Sequence, residues 1–273
     1  MDWLQALLLG LVQGLTEFLP VSSSGHLMIA RELLGVDAEG FLDFTVTVHL
    51  ATVLSTLVVF WKPICRLLAG LFKFKYNDET DYVFKIIVSM IPVALVGLLF
   101  KDKVEALFGD SLTTVAVCLL VTAALLVLSD VFGRGSAVRP SGPSARNGIS
   151  YWQALVVGAG QALAVAPGLS RSGTTIATGL LTGVRRDVIA QFSFLMVLIP
   201  IIGEQALDIL KAVTGHAELG GGVSPICLAA GFIAAFAAGL FACKAMVALV
   251  KKAKLSWFAL YCAVVAVLIF IFA

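Results

Sequence analysis

Two short stretches of a mostly apolar chain carry side chains whose types and spacing could do chemistry. The first runs from Gln13 to His26 and holds one carboxylate (Glu17), three hydroxyls (Ser22, Ser23, Ser24) and an imidazole. The second, Pro167-Gly168-Leu169-Ser170-Arg171-Ser172-Gly173, holds a guanidinium between two serines and is followed by Thr174. A charged group at bilayer depth costs about 2.5–3.5 kcal/mol on insertion scales, so each is a functional-site candidate by default. Gln13 and Glu17 are four residues apart and share a helical face. Glu17 can bind a divalent cation, accept a proton or orient a nucleophile. Gln13 can hydrogen-bond or lend an amide oxygen to the same cation. Ser23 is a candidate nucleophile with His26, three residues on, as its base or acid. Alternatively, His26 itself attacks phosphorus, and the residues alone do not choose between the two.

In both stretches a Ser-x-Ser-Gly run leads into a helical segment, expected from His26 to Leu34 and from Thr174 to Leu181. Serine is a favoured N-cap, and a helix N-terminus presents free backbone N–H groups and the positive end of a dipole. That combination binds phosphate. Two such starts converging from opposite sides fit an anion larger than one phosphate. The candidate diphosphate-binding set is Gln13, Ser22, Ser24, Gly25, Ser170, Ser172, Gly173 and Thr174, with Glu17, Ser23, His26 and Arg171 as catalytic candidates. Arginine stays charged in a poorly solvated site and meets phosphate oxygens bidentately. The bland alternative is that Arg171 and Glu17 merely neutralise each other, and that one or more of the three serines only caps. His49 reads as a structural histidine or as a supporting residue of the site, whereas Glu204 and Asp208 take no assigned role. Lys251, Lys252 and Lys254 read as topology determinants facing anionic lipid.

The elements that must position these residues belong to an all-α polytopic membrane protein. The 273 residues are 60% hydrophobic and only 13% charged, where a soluble domain carries about a quarter. Six apolar runs, about 43–61, 83–100, 111–131, 190–211, 225–248 and 255–273, are long enough to cross a bilayer of about 30 Å. Two more, about 3–34 and 151–184, are interrupted by Pro, Ser and Gly and are expected to be re-entrant hairpins. Irregular backbone at that depth is tolerated only where protein or a wet cavity surrounds it. Met1-Asp2-Trp3 lacks the basic region of a cleavable signal peptide. The five cysteines form no Cys-x-x-Cys pair and suggest neither disulfides nor zinc.

Sliding the chain on itself by 148 positions sets residues 2–26 against 150–174 with nine identities in 25. The costly matches are Gln5 over Gln153, Gln13 over Gln161 and Ser22-x-Ser24-Gly25 over Ser170-x-Ser172-Gly173. This predicts one integral domain built from a repeat of about 1–131 and another of about 150–273, joined by a Gly/Pro/Ser-rich loop at 132–149. Three spanning runs after each hairpin make the repeats inverted in topology. With re-entrant hairpins, Lys and Arg divide 14 to 4 between the two sides, Arg171 set aside; with crossing hairpins they divide 9 to 9. The positive-inside rule therefore favours re-entry, a cytoplasmic basic side, and both termini outside.

Gln-x-x-x-Glu-Phe-Leu-Pro-Val-Ser-Ser-Ser-Gly-His at 13–26 and Pro-Gly-Leu-Ser-Arg-Ser-Gly at 167–173 resemble the two signature motifs of the bacitracin-resistance family of undecaprenyl-diphosphate phosphatases. The resemblance covers essentially the whole chain, including its length and the order of its apolar runs. It implies a bacterial inner-membrane hydrolase with six spanning helices and two re-entrant pairs. The enzyme would remove the terminal phosphate of undecaprenyl diphosphate, recycling the lipid carrier for peptidoglycan, and so confer resistance to bacitracin, which competes by binding the substrate. It also implies a site opening outward and a divalent cation, Mg2+ or Ca2+, with the family's catalytic glutamate, serine, histidine and arginine falling on Glu17, Ser23, His26 and Arg171. Many members carry a second glutamate where this chain has Gln13, which weakens a carboxylate pair as the metal site and leaves Glu17, with or without Gln13. The expected partners are the polyprenyl diphosphate and membrane lipids, with room for a homodimer and no nucleic acid. The rival reading is a lipid flippase or secondary transporter, whose usual architecture is the same inverted repeat.

Overall fold

The computed structural model describes residues 1–37, 40–99, 111–133, 143–166, 168–213 and 223–272, without the side chains of 42, 98, 143–145 and 204–213. Every regular element among them is helical. In chain order these are α1 (Trp3–Thr16), α2 (Ser23–Leu33), α3 (Phe41–Val59), α4 (Trp61–Leu71), α5 (Asp78–Leu99), α6 (Leu112–Phe132), a 3-10 turn (Pro143–Gly148), α7 (Tyr151–Leu163), α8 (Arg171–Leu181), α9 (Arg186–Val213), α10 (Pro225–Lys252) and α11 (Ser256–Phe272). Four of them contain stretches long and apolar enough to cross a membrane: Asp78–Gly97, Leu112–Phe132, Arg186–Gly203 and Pro225–Lys252. The run expected at 43–61 ends in a bend, because α3 and α4 meet at 71° and count as a fifth span only together. The final run is the 17-residue α11, about 25 Å long at 1.5 Å per residue and at the lower limit for crossing. Large apolar side chains such as Ile233, Phe241 and Phe270 remain exposed on the outer helix faces, as a lipid environment requires.

α1 and α7, with 14 and 13 residues, are each too short to cross. Both begin in a capping box: Asp2 with Gln5, and Ser150 with Gln153. Both send the same glutamine across to the end of the following helix. Gln5 Nε2 donates to the Leu34 carbonyl at 3.0 Å and Gln153 Nε2 to that of Thr182 at 2.9 Å. α1 packs on α10 and α7 on α5, each crossing made close by a glycine. A Cβ on Gly10 would collide with the Gly231 backbone, and one on Gly158 with that of Ser89. α6 and α11 pack on each other. Fully buried Phe44, Phe192, Leu119 and Met246 lie in the apolar core between these helices.

The Gly/Pro/Ser-rich connection is not free throughout. Residues 134–142 lie outside the described part, but its far end is tied to α5. Lys85, fully buried, donates to Asp81 at 2.5 Å and to the Arg146 carbonyl at 2.6 Å, and Asn147 Nδ2 reaches the Asp78 carbonyl at 2.8 Å. A second buried carboxylate, Asp130, receives the Arg186 guanidinium together with the backbone N–H and hydroxyl of Ser256, joining α6, α9 and α11.

Candidate active site

The helices at the two tips start three residues earlier than expected, at Ser23 and Arg171, because Ser22 and Ser170 are the caps. Ser22 Oγ accepts from the Gly25 N–H at 3.2 Å, and Ser170 Oγ from that of Gly173 at 3.1 Å. The first intrahelical bonds run from His26 N–H to the Ser22 carbonyl and from Thr174 N–H to that of Ser170. The amides of Ser23 and Ser24, and of Arg171 and Ser172, are thus left without an intrahelical partner. The expectation that at least one serine caps holds for Ser22.

The two tips face each other. Ser172 Oγ donates to the Leu19 carbonyl at 3.0 Å, and the Gly168 N–H to Ser24 Oγ at 3.4 Å. Between them lies a cavity of about 190 Å³ lined by both tips and by one residue of α3. Glu17, Ser22, Ser23, Ser24, Ser170, Arg171 and Ser172 all line it, along with His49. Gln13, Gly25, His26, Gly173 and Thr174 do not. Gly25 and Gly173 instead let their helix starts pack tightly, against Val115 and Thr122 respectively, and the Thr174 hydroxyl is spent on the Ser170 and Arg171 carbonyls. Pro167 lies outside the described residues, as do the side chains of Glu204 and Asp208.

Ser23 Oγ donates to Glu17 Oε2 at 2.6 Å. The same oxygen accepts from Gln13 Nε2 at 2.8 Å, while Gln13 Oε1 is buried with no partner. A carboxylate so placed is a base for the serine proton. Arg171 lies across the cavity and feels the charge of Glu17, yet its guanidinium makes no hydrogen bond or ion pair among the described residues. It is a donor fork facing the cavity with no acceptor among the described residues. Mutual neutralisation alone does not account for that arrangement.

His26 goes elsewhere. Its Nδ1 lies 2.8 Å from the Ser22 carbonyl, which can only accept, and its Nε2 lies 2.7 Å from the hydroxyl of Tyr261 on α11, whose ring stacks on the imidazole. The pairing of Ser23 with His26 expected from their spacing is absent; Glu17 occupies that role in contact terms. His49, an ambiguous residue in sequence, is in the site. Its Nε2 is 3.9 Å from Glu17 Oε2 and its Nδ1 is 2.8 Å from the Thr45 carbonyl. Tyr261 and Thr122, whose hydroxyl accepts from the Ser170 N–H at 3.2 Å, had no sequence signal beyond polarity within an apolar run.

Fold and site together define a polytopic membrane protein with a buried, polar, anion-ready chamber between two helix starts. The chain belongs to the family described as bacitracin resistance protein BacA, whose model matches residues 6–268. It is 53% identical to the undecaprenyl-diphosphatase of Bacteroides fragilis over 98% of this chain and 97% of that one. Identity to the undecaprenyl-diphosphatase of Parabacteroides distasonis is also 53%, over 97% and 96%. With that of Christiangramia forsetii it is 48%, over 100% and 99%. The family resemblance of the two motifs is thereby borne out.

Proposed function

We propose that this protein is an undecaprenyl-diphosphatase: it hydrolyses undecaprenyl diphosphate to undecaprenyl phosphate and phosphate, returning the lipid carrier to peptidoglycan synthesis. The single observation that carries the chemistry is the Ser23–Glu17 hydrogen bond facing Arg171, which has no partner among the described residues, across one cavity. A pure carrier has no use for a hydroxyl held on a buried carboxylate, and nothing favours the transporter reading.

In the reaction this geometry supports, the terminal phosphate enters between the tips. Arg171 and the amides of Ser23, Ser24, Arg171 and Ser172 neutralise its equatorial oxygens, the main task in phosphoryl transfer. Ser23 Oγ attacks phosphorus as Glu17 takes its proton; the bridging P–O bond breaks and undecaprenyl phosphate leaves. Glu17 passes that proton to the departing undecaprenyl phosphate, then takes one from the water that attacks the phosphoserine and returns it to Ser23 Oγ as inorganic phosphate leaves. Trapping with labelled substrate tests this. An acid-stable, alkali-labile phosphoenzyme that vanishes in Ser23→Ala is expected. An acid-labile one that vanishes in His26→Ala moves the attack to His26, and none in wild type moves it to water.

The donors present fit a divalent cation. Glu17 supplies a carboxylate and Gln13 Oε1 is an orphaned, buried oxygen beside it. Mg2+ is bound through one or two carboxylates with substrate phosphates completing its shell, so Glu17 with Gln13 would hold it together with the diphosphate. The ion would supply charge neutralisation on the bridging and terminal oxygens.

The matched capping boxes, the matched glutamine bonds and the reciprocal packing of α1 on α10 and α7 on α5 support an inverted repeat of about 1–131 and 150–273. Together with the charge division, this supports a reading in which both termini and the mouth of the site lie on the outer face. Six spanning elements then comprise the four long helices, the bent α3–α4 pair and α11. The polyprenyl tail stays in lipid while its diphosphate reaches the tips, and bacitracin competes by binding that substrate outside. Cysteine labelling at Asp2 and Lys252 in intact cells tests the topology: reagent excluded from membranes should reach only position 2.

A further inference from the structure

The geometry points to His49 as a second protein ligand of the divalent cation, beside Glu17, in a chain where Gln13 supplies no second carboxylate. This rests on the cation reading above and deepens it. His49 sits in the middle of α3, with its side chain 20% exposed and facing the tip cavity. The Thr45 carbonyl can only accept, so the hydrogen on Nδ1 is fixed there and Nε2 is the atom presented to Glu17. A backbone carbonyl on the far ring nitrogen is the arrangement that orients metal-bound histidines and raises their basicity.

Nε2 and Glu17 Oε2 are 3.9 Å apart, too far for a hydrogen bond. A lone pair facing a carboxylate gains nothing unless a positive charge lies between them. Neighbouring ligand atoms about 2.1 Å from one ion stand about 3.0–3.4 Å apart, so this pair closes on a cation by side-chain movement of under about 1 Å, without rebuilding the backbone. Gln13, fully buried behind the cavity wall, has its amide nitrogen on Glu17 Oε2 and its Oε1 without a partner among the described residues, so it steadies the carboxylate between His49 and the helix starts. The Arg171 guanidinium and the amides of Arg171 and Ser172 lie on the opposite tip and address the phosphate oxygens instead. The result is a nitrogen–oxygen donor set from α1 and α3. Imidazole suits zinc and other first-row transition ions, whereas carboxylates and carbonyls alone suit magnesium and calcium. Histidine at this position therefore shifts the site toward Mn2+, Co2+ or Zn2+ relative to Ca2+.

Pulsed electron paramagnetic resonance of Mn2+ bound to the purified protein in detergent, with methylenediphosphonate present, reads the ligand directly. Wild type should show a 14N coupling that becomes a 15N coupling when only histidine is 15N-labelled, which requires no variant. His49→Gln should lose the coupling and bind Mn2+ about 10-fold or more weakly, while its helical circular dichroism and elution volume match wild type. His26→Gln should keep the coupling. Bound Mn2+ with no histidine coupling, or a coupling that disappears in His26→Gln and survives in His49→Gln, overturns the assignment and leaves the cation on oxygen ligands. Wild-type protein that binds no Mn2+ with or without the diphosphonate overturns the cation reading itself, and phosphate release without added metal then separates that failure from a failure of the enzyme reading.

Discussion

The two tips have one frame and two chemistries. Capping serine, helix start, glycine at the third helical position and the serine pair at 3.4 Å recur at Ser22–Gly25 and Ser170–Gly173 with nearly equal distances. Offset by 148 positions, however, Glu17 meets Val165, Ser23 meets Arg171 and His26 meets Thr174. The first tip keeps the base and the nucleophile candidate; the second keeps the cation. The same backbone frame appears at both helix starts, and the side chains that differ between them supply the proposed base, nucleophile and cation. A symmetric pair would carry two carboxylates repelling the substrate, or two arginines holding it without attacking.

The largest effects should follow from making the first tip as inert as the second. Glu17→Gln keeps the hydrogen-bonding shape but removes the base, and kcat should fall about 10³-fold, within the span seen for general acid–base groups. Binding of a non-hydrolysable diphosphate lipid should survive. A variant retaining more than a tenth of wild-type turnover would dispose of the role given to Glu17. At the second tip, Arg171→Ala removes one charged donor set from the phosphoryl oxygens and should cost about 10²–10³ in kcat. Added guanidinium should restore part of it. Arg171→Lys should recover less than full activity, because an ammonium cannot present the planar fork.

A smaller difference lies in the backbone. Ser22 sits at φ 70°, ψ 96°, while its counterpart Ser170 sits at φ −74°, ψ 114°. The turn after Pro20 forces the first, with the Val21 N–H closing back on the Leu19 carbonyl at 2.8 Å. Glycine tolerates positive φ without penalty and costs only a few tenths of a kcal/mol as an N-cap. Thermal unfolding in detergent should therefore rank Ser22→Gly above Ser22→Ala by about 1 kcal/mol. At Ser170 glycine should hold no such advantage, and an equal ranking at both positions would show that the tips share one backbone after all.

Much of this was legible in the sequence because membrane depth makes polar residues expensive, so Glu17, Ser23 and Arg171 stood out against an apolar background. The repeat was legible for the same reason: Gln5 and Gln153 each spend their amide on one carbonyl 29 residues on, which gives both positions a cause. What spacing could not show was direction. Ser23 and His26 are three apart and share a face, yet a capping bond to Ser22 and the distant Tyr261 turn the imidazole away, and Tyr261 is 235 residues further along. His49 was ambiguous because nothing in an apolar run tells which face of α3 meets the tips. The bend between α3 and α4 was also hidden, since Phe60-Trp61-Lys62 carries no proline or glycine at the break itself.

The finest contrast is between the two matched glutamines. Gln13 and Gln161 are both buried, but Gln13 gives its amide nitrogen to Glu17, whereas both amide atoms of Gln161 lack a partner among the described residues. A buried, unsatisfied polar group costs about 1–3 kcal/mol, so replacing Gln161 by an apolar side chain of like volume relieves a penalty that replacing Gln13 does not. Gln161→Met should leave phosphate release within about two-fold of wild type and keep or raise the thermal midpoint. Gln13→Met strips a donor from Glu17 and, on the proposed cation reading, an oxygen from the ion, and should lower activity at limiting metal far more than at saturating metal. Equal losses in the two variants would mean that Gln161 also serves the site, through water between its amide and the second tip.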